Sequence, residues 1–152
     1  MKTRILMVCL GNICRSPLAE GILKSKVSSS NYFVDSAGTA GYHVGDAPDS
    51  RSIAVAKKHN IDISKQRCRK FVKNDFHQFD VIYAMDKSNY NNIVSLAENK
   101  ADIKKVKLLL SVLDTPNNEV PDPYYGGDDG FQNVFDMIDI ACNEITINLN
   151  NH

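Results

Sequence analysis

The stretch RILMVCLGNICRSP, residues 4–17, contains the feature on which the predicted fold depends. Its first part, Arg4–Cys9, is an almost continuous apolar run, which is typical of a strand buried on both faces of a sheet. A Gly-Asn pair then interrupts the run, and Ser16 and Pro17 follow as the expected N-cap and first residue of a helix. The stretch therefore predicts a strand, a tight loop and a helix in direct succession.

The rest of the chain repeats this succession. Three further short apolar runs predict strands, and segments with apolar residues at helical spacing predict helices. The predicted strands are Arg4–Cys9, Tyr32–Ser36, Phe79–Ala84 and Val106–Leu110, and the predicted helices are Pro17–Ser28, Ser50–Asn60, Lys87–Glu98 and Phe131–Leu149. This alternation favours a doubly wound α/β fold, in which a parallel four-stranded sheet has helices on both faces.

Length and composition predict one ordinary globular domain over residues 1–152. The 18 Lys and Arg residues balance 18 Asp and Glu residues, so no overall positive charge would attract nucleic acid or an anionic membrane. No stretch approaches the roughly 20 apolar residues of a membrane-spanning helix, and the run Ile5–Leu10 is shorter than the apolar part of a secretory signal. We therefore expect a cytoplasmic protein, by default a monomer, whose four cysteines are reduced.

Cys9 lies at the predicted end of the first strand, where parallel sheets place their ligands. The segment Leu10–Ser16 would form a loop that enters a helix, and the unpaired backbone N–H groups of such a loop bind anions. Gly11 and Asn12 tolerate the backbone angles that this loop requires. The helix dipole and Arg15 would both favour the thiolate of Cys9, and the guanidinium of Arg15 matches two oxygens of a phosphate. The spacing of Cys, five residues and Arg thus predicts a nucleophile at a phosphate site.

Three other interpretations compete with a nucleophilic cysteine. A lone cysteine in a strand is usually a buried apolar residue. A nucleotide-binding phosphate loop requires G-x-x-x-x-G-K-[ST], which the sequence lacks. A structural zinc site could use Cys9 and Cys14, but Cys68 and Cys142 lack the paired spacing of zinc ligands. The Cys-to-Arg spacing, followed directly by Ser, favours the nucleophile over all three.

Four motifs resemble those of the low-molecular-weight protein tyrosine phosphatases. They are CLGNICRSPLAE (Cys9–Glu20), DSAG (Asp35–Gly38), AMDKSN (Ala84–Asn89) and VPDPYYGG (Val120–Gly127), and they occur in the family's order across most of the chain. The resemblance implies a flavodoxin-like fold, a phosphocysteine intermediate, no metal and no other cofactor. It also implies that the partner is a tyrosine-phosphorylated protein or a small aryl phosphate.

The resemblance further implies roles for individual residues. Asp122, which two prolines flank, would be the general acid, a role that typically contributes about 10²–10⁴-fold to the rate. Cys9 and Arg15 would be the other catalytic residues, and Ser36 would support the shape of the loop. The residues expected to contact the substrate are Leu10, Gly11, Asn12, Ile13, Cys14, Ser16, Tyr42, Tyr124 and Tyr125.

Two other functions stay open on the sequence alone. A thiol-dependent arsenate reductase would share the fold and the Cys-Arg loop, but it needs resolving thiols, and Cys68 and Cys142 are isolated in the sequence. A noncatalytic phosphate-binding module would keep the loop and its arginine without needing a general acid. The resemblance also implies a reversible disulfide between Cys14 and Cys9 that protects the nucleophile from over-oxidation, with a simple buried thiol at Cys14 as the alternative.

Overall fold

The structure, a computed structural model, describes residues 2–123 and 128–150. Strands and helices alternate along these residues. The elements are β1 (Thr3–Cys9), α1 (Arg15–Lys26), β2 (Tyr32–Gly38), α2 (Ser50–Lys58), α3 (Asp75–Gln78), β3 (Val81–Ala84), α4 (Lys87–Val94), α5 (Lys100–Lys105), β4 (Val106–Leu108) and α6 (Asp128–Asn150), with a 3-10 turn over Leu109–Val112. None of the described helices is long and apolar enough to cross a membrane.

The four strands form one parallel sheet in the order β2-β1-β3-β4. β1 lies inside the sheet, where Cys9 is in register with Gly38 of β2 and Val8 with Ala84 of β3. The chain crosses from β1 to one side to form β2 and then to the other side to form β3. The strand order therefore reverses at the carboxyl end of β1, and such a switch point is where open α/β sheets bind ligands. The predicted parallel four-stranded sheet is confirmed.

Alternate side chains of β1 enter two separate hydrophobic cores, one on each face of the sheet. Ile5 and Met7 pack into the core beneath α1, α2 and α6, and Leu6 and Val8 pack into the core beneath α3 and α4. Burying one large apolar side chain contributes roughly 1.5–3 kcal/mol to stability. Helices on both faces, as predicted, bury β1 from Ile5 to Cys9, which gives the loop that follows it a rigid base.

The structure differs from the predicted elements in two short helices and in the residue that begins α1. The sequence pattern does not predict α3 and α5, because elements of four and six residues are too short to show a helical repeat. The N-cap prediction for Ser16 is wrong, since α1 begins at Arg15, Cys14 occupies the N-cap position and no side chain caps the helix. Ser16 is instead hydrogen-bonded to Cys9. Asp86 is the N-cap of α4, because its carboxylate accepts from the backbone N–H of Asn89.

Candidate active site

Cys9 is the last residue of β1, and its side chain lies beneath the loop that leads to α1. The residue is 2% exposed. Its Sγ lies 3.0 Å from Ser16 Oγ, and the backbone N–H of Asn12 donates to the same sulfur over 3.3 Å. These two contacts fix the position of the sulfur at the base of the loop. We call residues 9–16 the phosphate loop.

Asn12 holds the phosphate loop in its unusual shape. Its φ of 57° lies in the left-handed region, which Asn tolerates better than most residues. Its side-chain Nδ2 donates to Ser16 Oγ at 2.8 Å and to Ser36 Oγ at 3.0 Å, while its Oδ1 accepts from the backbone N–H of Arg69 at 3.0 Å. Gly11, which was also expected to need such angles, has no positive φ.

Neighbouring backbone also supports the loop from outside. The backbone N–H groups of Thr39 and Ala40 donate to the carbonyls of Cys9 and Leu10, each over 2.9 Å. At Gly38, the end of β2 approaches the loop so closely that an added Cβ would lie 2.8 Å from the Leu10 carbonyl oxygen. Three further donors bind carbonyl groups of the loop: Cys68 Sγ donates to Gly11, Ser52 Oγ to Cys14, and the Asp49 N–H to Ile13.

Arg15 connects the phosphate loop to two other parts of the site. Its Nη1 donates to Asp86 Oδ2 at 2.6 Å and to the Val120 carbonyl at 3.0 Å, and its Nη2 lies 3.7 Å from Asp122 Oδ2. Burial alone would lower the pKa of Arg15, but the negative charges of Cys9, Asp86 and Asp122 raise it, so the guanidinium is a permanent cation. The side chain is 3% exposed, and these contacts fix the plane of its fork.

Asp122 belongs to a more open segment than the phosphate loop. Two hydrogen bonds hold the segment against the connection between β3 and α4. The Val120 N–H donates to the Met85 carbonyl at 2.8 Å, and Glu119 accepts from the backbone N–H of Lys87 at 3.0 Å. Asp122 follows two residues after Val120, and its side chain is 33% exposed. The carboxylate thus lies over the phosphate loop and in contact with solvent.

One pocket brings most of the predicted site residues together. It is lined by Cys9, Leu10, Gly11, Ile13, Cys14, Arg15, Tyr42, His43 and Asp122. Tyr42 forms part of its rim and is 78% exposed. The other predicted residues Asn12, Ser16 and Ser36 do not line the pocket. They are buried, and the side chain of Asn12 donates to both serines. The predicted contacts of Tyr124 and Tyr125 lie outside the described residues.

All four cysteines are free thiols in the structure. Burial raises the pKa of Cys14 to about 12, with further increases from the negative charges of Asp49 and Cys9. Burial likewise raises the pKa of Cys68 to about 11 and that of Cys142 to about 12. These three thiols therefore stay protonated near neutral pH. Within residues 2–123 and 128–150, no group of three or more His, Cys, Asp or Glu side chains is arranged to hold a metal ion.

Two acidic residues of the site were not identified from the sequence. One carboxylate oxygen of Asp86 caps α4, and the other is the nearest charge partner of Arg15. Glu20 was not singled out, although it is 4% exposed and accepts from Ser36 behind the phosphate loop. Asp86 carried a signal, since it follows the carboxyl end of β3, where functional side chains of parallel sheets gather. Glu20 carried none, because a glutamate in a helix is usually on the surface.

Comparison with known proteins relates this geometry to one family. Residues 4–152 match the family model described as low molecular weight phosphotyrosine protein phosphatase. The human protein of that name is 39% identical over 144 residues, which cover 91% of this chain and 90% of the relative. The Schizosaccharomyces pombe protein of the same name is 39% identical over 148 residues, covering 92% and 93%.

Solved structures agree with this match. The crystal structure of a protein tyrosine phosphatase from Entamoeba histolytica, with Hepes in its active site, has a TM-score of 0.93 and 37% identity, covering 99% of this chain and 98% of that one. The structure of Vibrio vulnificus Wzb in complex with benzylphosphonate has a TM-score of 0.87 and 28% identity, covering 97% and 99%.

Proposed function

Because the chain belongs to the low molecular weight phosphotyrosine protein phosphatase family, we propose that it hydrolyses phosphotyrosine on proteins, and small aryl phosphates, through a phosphocysteine intermediate. The observation that carries the proposal is the convergence of three groups on one pocket: the sulfur of Cys9, the guanidinium of Arg15 and the carboxyl group of Asp122. A nucleophile, an anion clamp and a proton donor are the groups that this reaction needs.

In the first step the phosphate group lies in the phosphate loop, held by backbone N–H groups and by the fork of Arg15. The thiolate of Cys9 attacks phosphorus in line with the bond to the tyrosine oxygen. As the S–P bond forms, the P–O bond breaks, and Asp122 in its acid form gives a proton to the leaving phenolic oxygen. Tyrosine departs, and Cys9 carries the phosphoryl group.

In the second step water attacks the phosphocysteine. Asp122, now a carboxylate, accepts a proton from the water, the S–P bond breaks and inorganic phosphate leaves with the regenerated thiolate of Cys9. The exposure of Asp122 suits this double role, because its 33% exposed side chain can reach water as well as the leaving group. No metal or other cofactor takes part in these steps.

Arg15 acts in both steps because each passes through a state with additional charge on the phosphoryl oxygens. Asp86 and the Val120 carbonyl hold Nη1 before substrate arrives. The guanidinium therefore does not have to be ordered during the reaction, and this preorganisation lowers the barrier. Asp86 is a positioning residue in this scheme.

The walls of the pocket favour an aromatic substrate. Leu10, Ile13 and Tyr42 line the pocket, and apolar or aromatic walls stabilise a phenyl ring.

Tyr124 and Tyr125 stay predicted substrate contacts. The reversible disulfide of Cys14 with Cys9 also stays a prediction, as do one domain over residues 1–152, a cytoplasmic location and a monomeric state.

The comparisons do not favour the arsenate reductase alternative, since the named relatives are phosphotyrosine phosphatases. The decisive experiment measures release of inorganic phosphate from a phosphotyrosine peptide by the wild type, Cys9→Ser and Cys142→Ala, the last removing a thiol from the core beneath α6. We expect turnover by the wild type and by Cys142→Ala and none by Cys9→Ser. Phosphate binding without turnover by the wild type would identify a binding module, and arsenate-dependent thiol oxidation without phosphate release would identify the reductase.

A further inference from the structure

Glu20 is a buried carboxylate that the proposed mechanism does not use. It lies on α1 behind the phosphate loop and is 4% exposed. Its Oε1 accepts from Ser36 Oγ at 2.7 Å and its Oε2 accepts from Lys24 Nζ at 2.6 Å. Burial raises the pKa of Glu20, while Lys24 and Ser36 oppose that rise. Burying a charged group is costly unless it is paired and hydrogen-bonded, and Glu20 has both kinds of partner.

A series of hydrogen bonds leads from Glu20 to Cys9, and the direction of each one follows from which atoms can only donate. The backbone N–H of Arg69 can only donate, so the Asn12 side-chain atom that it contacts is the oxygen. The other end of the Asn12 side chain is therefore the NH₂ group, and its two hydrogens point to Ser36 Oγ and Ser16 Oγ. Both hydroxyl groups accept from Asn12.

Each hydroxyl that accepts from Asn12 has its own proton left to donate. Ser36 donates its proton to Glu20, which as a carboxylate can only accept. Ser16 has two acceptors within reach, the Cys9 sulfur at 3.0 Å and the Ala37 carbonyl at 3.4 Å. The sulfur is the nearer of the two and, as a thiolate, the stronger acceptor. The Ser16 proton therefore points at the nucleophile.

We propose that Glu20 is a positioning residue, which acts through Ser36 and Asn12 to keep the Ser16 hydroxyl proton directed at the Cys9 sulfur. The proposal rests on the proposed function, because it assigns Glu20 a part in preparing the same nucleophile. Because the Glu20 carboxylate can only accept, the Ser36 hydroxyl must donate its proton to it. The oxygen of Ser36 can then only accept from Asn12. Without that acceptor, Ser36 can rotate, and the Asn12 side chain loses a fixed partner.

Glutamine at position 20 tests the idea with little change in shape, because its NH₂ group can donate to Ser36 and reverse the bond. We expect Glu20→Gln to lower kcat/KM for an aryl phosphate by about tenfold, the scale of one hydrogen bond to a charged group. The Ki of inorganic phosphate should stay within about twofold, because the loop N–H groups and Arg15 bind the anion. A change confined to kcat/KM separates this role from general disorder of the loop.

A double-mutant cycle with Ser36→Ala tests the route. If Glu20 acts through Ser36, Glu20→Gln has no further effect once Ser36 is alanine. Asp139→Asn is the matched control, since it also removes a carboxylate that pairs with a lysine of α1, Lys26, but on a surface away from the pocket. Thermal unfolding of each variant verifies that it is folded at the assay temperature. The control should keep wild-type kcat/KM.

A second readout does not depend on phosphatase activity. The rate at which iodoacetate alkylates Cys9, followed by mass spectrometry at neutral pH, reports how reactive the sulfur is. We expect slower alkylation in Glu20→Gln and the wild-type rate in Asp139→Asn. Equal kcat/KM and equal alkylation rates in Glu20→Gln and wild type would overturn the positioning role, as would effects of Glu20→Gln and Ser36→Ala that simply add. Absence of turnover in the wild type would instead overturn the proposed function.

Discussion

In the proposed reaction, the phosphate loop and the segment that carries Asp122 provide the two halves, and they are built in opposite ways. In the phosphate loop, Cys9, Asn12 and Ser16 are nearly inaccessible and hydrogen-bonded to one another, and strand β2 packs against the loop backbone. Residues 114–117 and Asp122 are exposed, and Glu119 and Val120 bind the segment to the connection between β3 and α4. This difference fits the proposed reaction, in which a rigid loop stabilises the charge on the phosphoryl group and Asp122 needs contact with water to transfer protons.

Arg15 is the residue at which the two halves meet. It belongs to the rigid half by sequence, but its guanidinium contacts the Val120 carbonyl and the Asp122 carboxylate. Substitutions on either side of this contact should therefore differ in kind. Those in the phosphate loop should affect every substrate equally, and those at Asp122 should depend on the leaving group.

After the complete loss expected for Cys9→Ser, the largest effect is expected from Arg15→Lys. Lysine keeps the positive charge but cannot contact two phosphate oxygens with one planar fork, so we expect kcat/KM to fall by about 10³-fold. The loss should be the same for phenyl phosphate and for p-nitrophenyl phosphate. Arg67→Lys, an exposed arginine that binds only nearby carbonyls among the contacts described, is the control. A loss below about threefold would show that charge alone suffices.

Asp122→Asn should give the next largest effect. Asparagine cannot donate a proton to the leaving oxygen, so we expect about a 10²-fold loss of kcat/KM with phenyl phosphate. With p-nitrophenyl phosphate, whose leaving group needs little protonation, the loss should be much smaller. Asp114→Asn, in the same exposed segment, should leave both rates unchanged. Equal losses with the two substrates would contradict the role of Asp122 as the acid.

Gly38→Ala tests how rigid the phosphate loop is. A Cβ at this position would lie 2.8 Å from the Leu10 carbonyl oxygen and 3.1 Å from the Asn12 nitrogen, and backbone cannot easily move away. We expect the free energy of unfolding to fall by about 2 kcal/mol. At Gly41 an added Cβ would make only an ordinary 3.5 Å contact with Lys70, so Gly41→Ala should be nearly neutral. Urea unfolding of both variants would detect the difference, and equal stabilities would argue against close packing at Gly38.

The smallest effect is expected from Asp86→Asn, which separates the two roles of Asp86. Asparagine is also a good N-cap, so α4 should keep its start, while Arg15 loses its nearest charge partner. We expect about a tenfold loss of kcat/KM with little change in stability. Asp49→Asn also keeps a helix cap and loses an arginine partner. Because it leaves intact the backbone N–H that supports the loop at Ile13, it should retain activity. Full activity in Asp86→Asn would show that Val120 alone orients Arg15.

The two halves also differ in how far the sequence predicts them. In the phosphate loop, the apolar run, the Gly-Asn pair and the Cys-to-Arg spacing are adjacent in the chain, so local chemistry predicts the strand, the loop and the helix. Asp122 lies more than a hundred residues away, and its role was implied by the resemblance rather than by its own surroundings. Spacing along the chain cannot show which distant carboxylate folds over a pocket.

The remaining differences have the same origin. Glu20 has the sequence pattern of a surface residue of α1, and only the packing of β2 against that helix places Ser36 on its carboxylate. Ser16 has the pattern of an N-cap, yet its hydroxyl accepts from Asn12 and is hydrogen-bonded to Cys9. The orientation of Glu20 thus depends on a residue of β2, and that of Ser16 depends on residues of the preceding loop. The spacing of apolar residues along a helix contains no information about such partners.

The most direct test of the central claim is to trap the covalent intermediate. Wild-type protein would be mixed with an aryl phosphate, denatured within milliseconds and digested, and the phosphorylated peptide would be identified by mass spectrometry. The account predicts a phosphoryl group on the sulfur of Cys9. With p-nitrophenyl phosphate, whose leaving group needs little protonation, it also predicts a larger trapped fraction in Asp122→Asn, because the second step then lacks its base. Turnover with a phosphoryl group on another residue, or with none on the protein during a burst of phenol release, would contradict it.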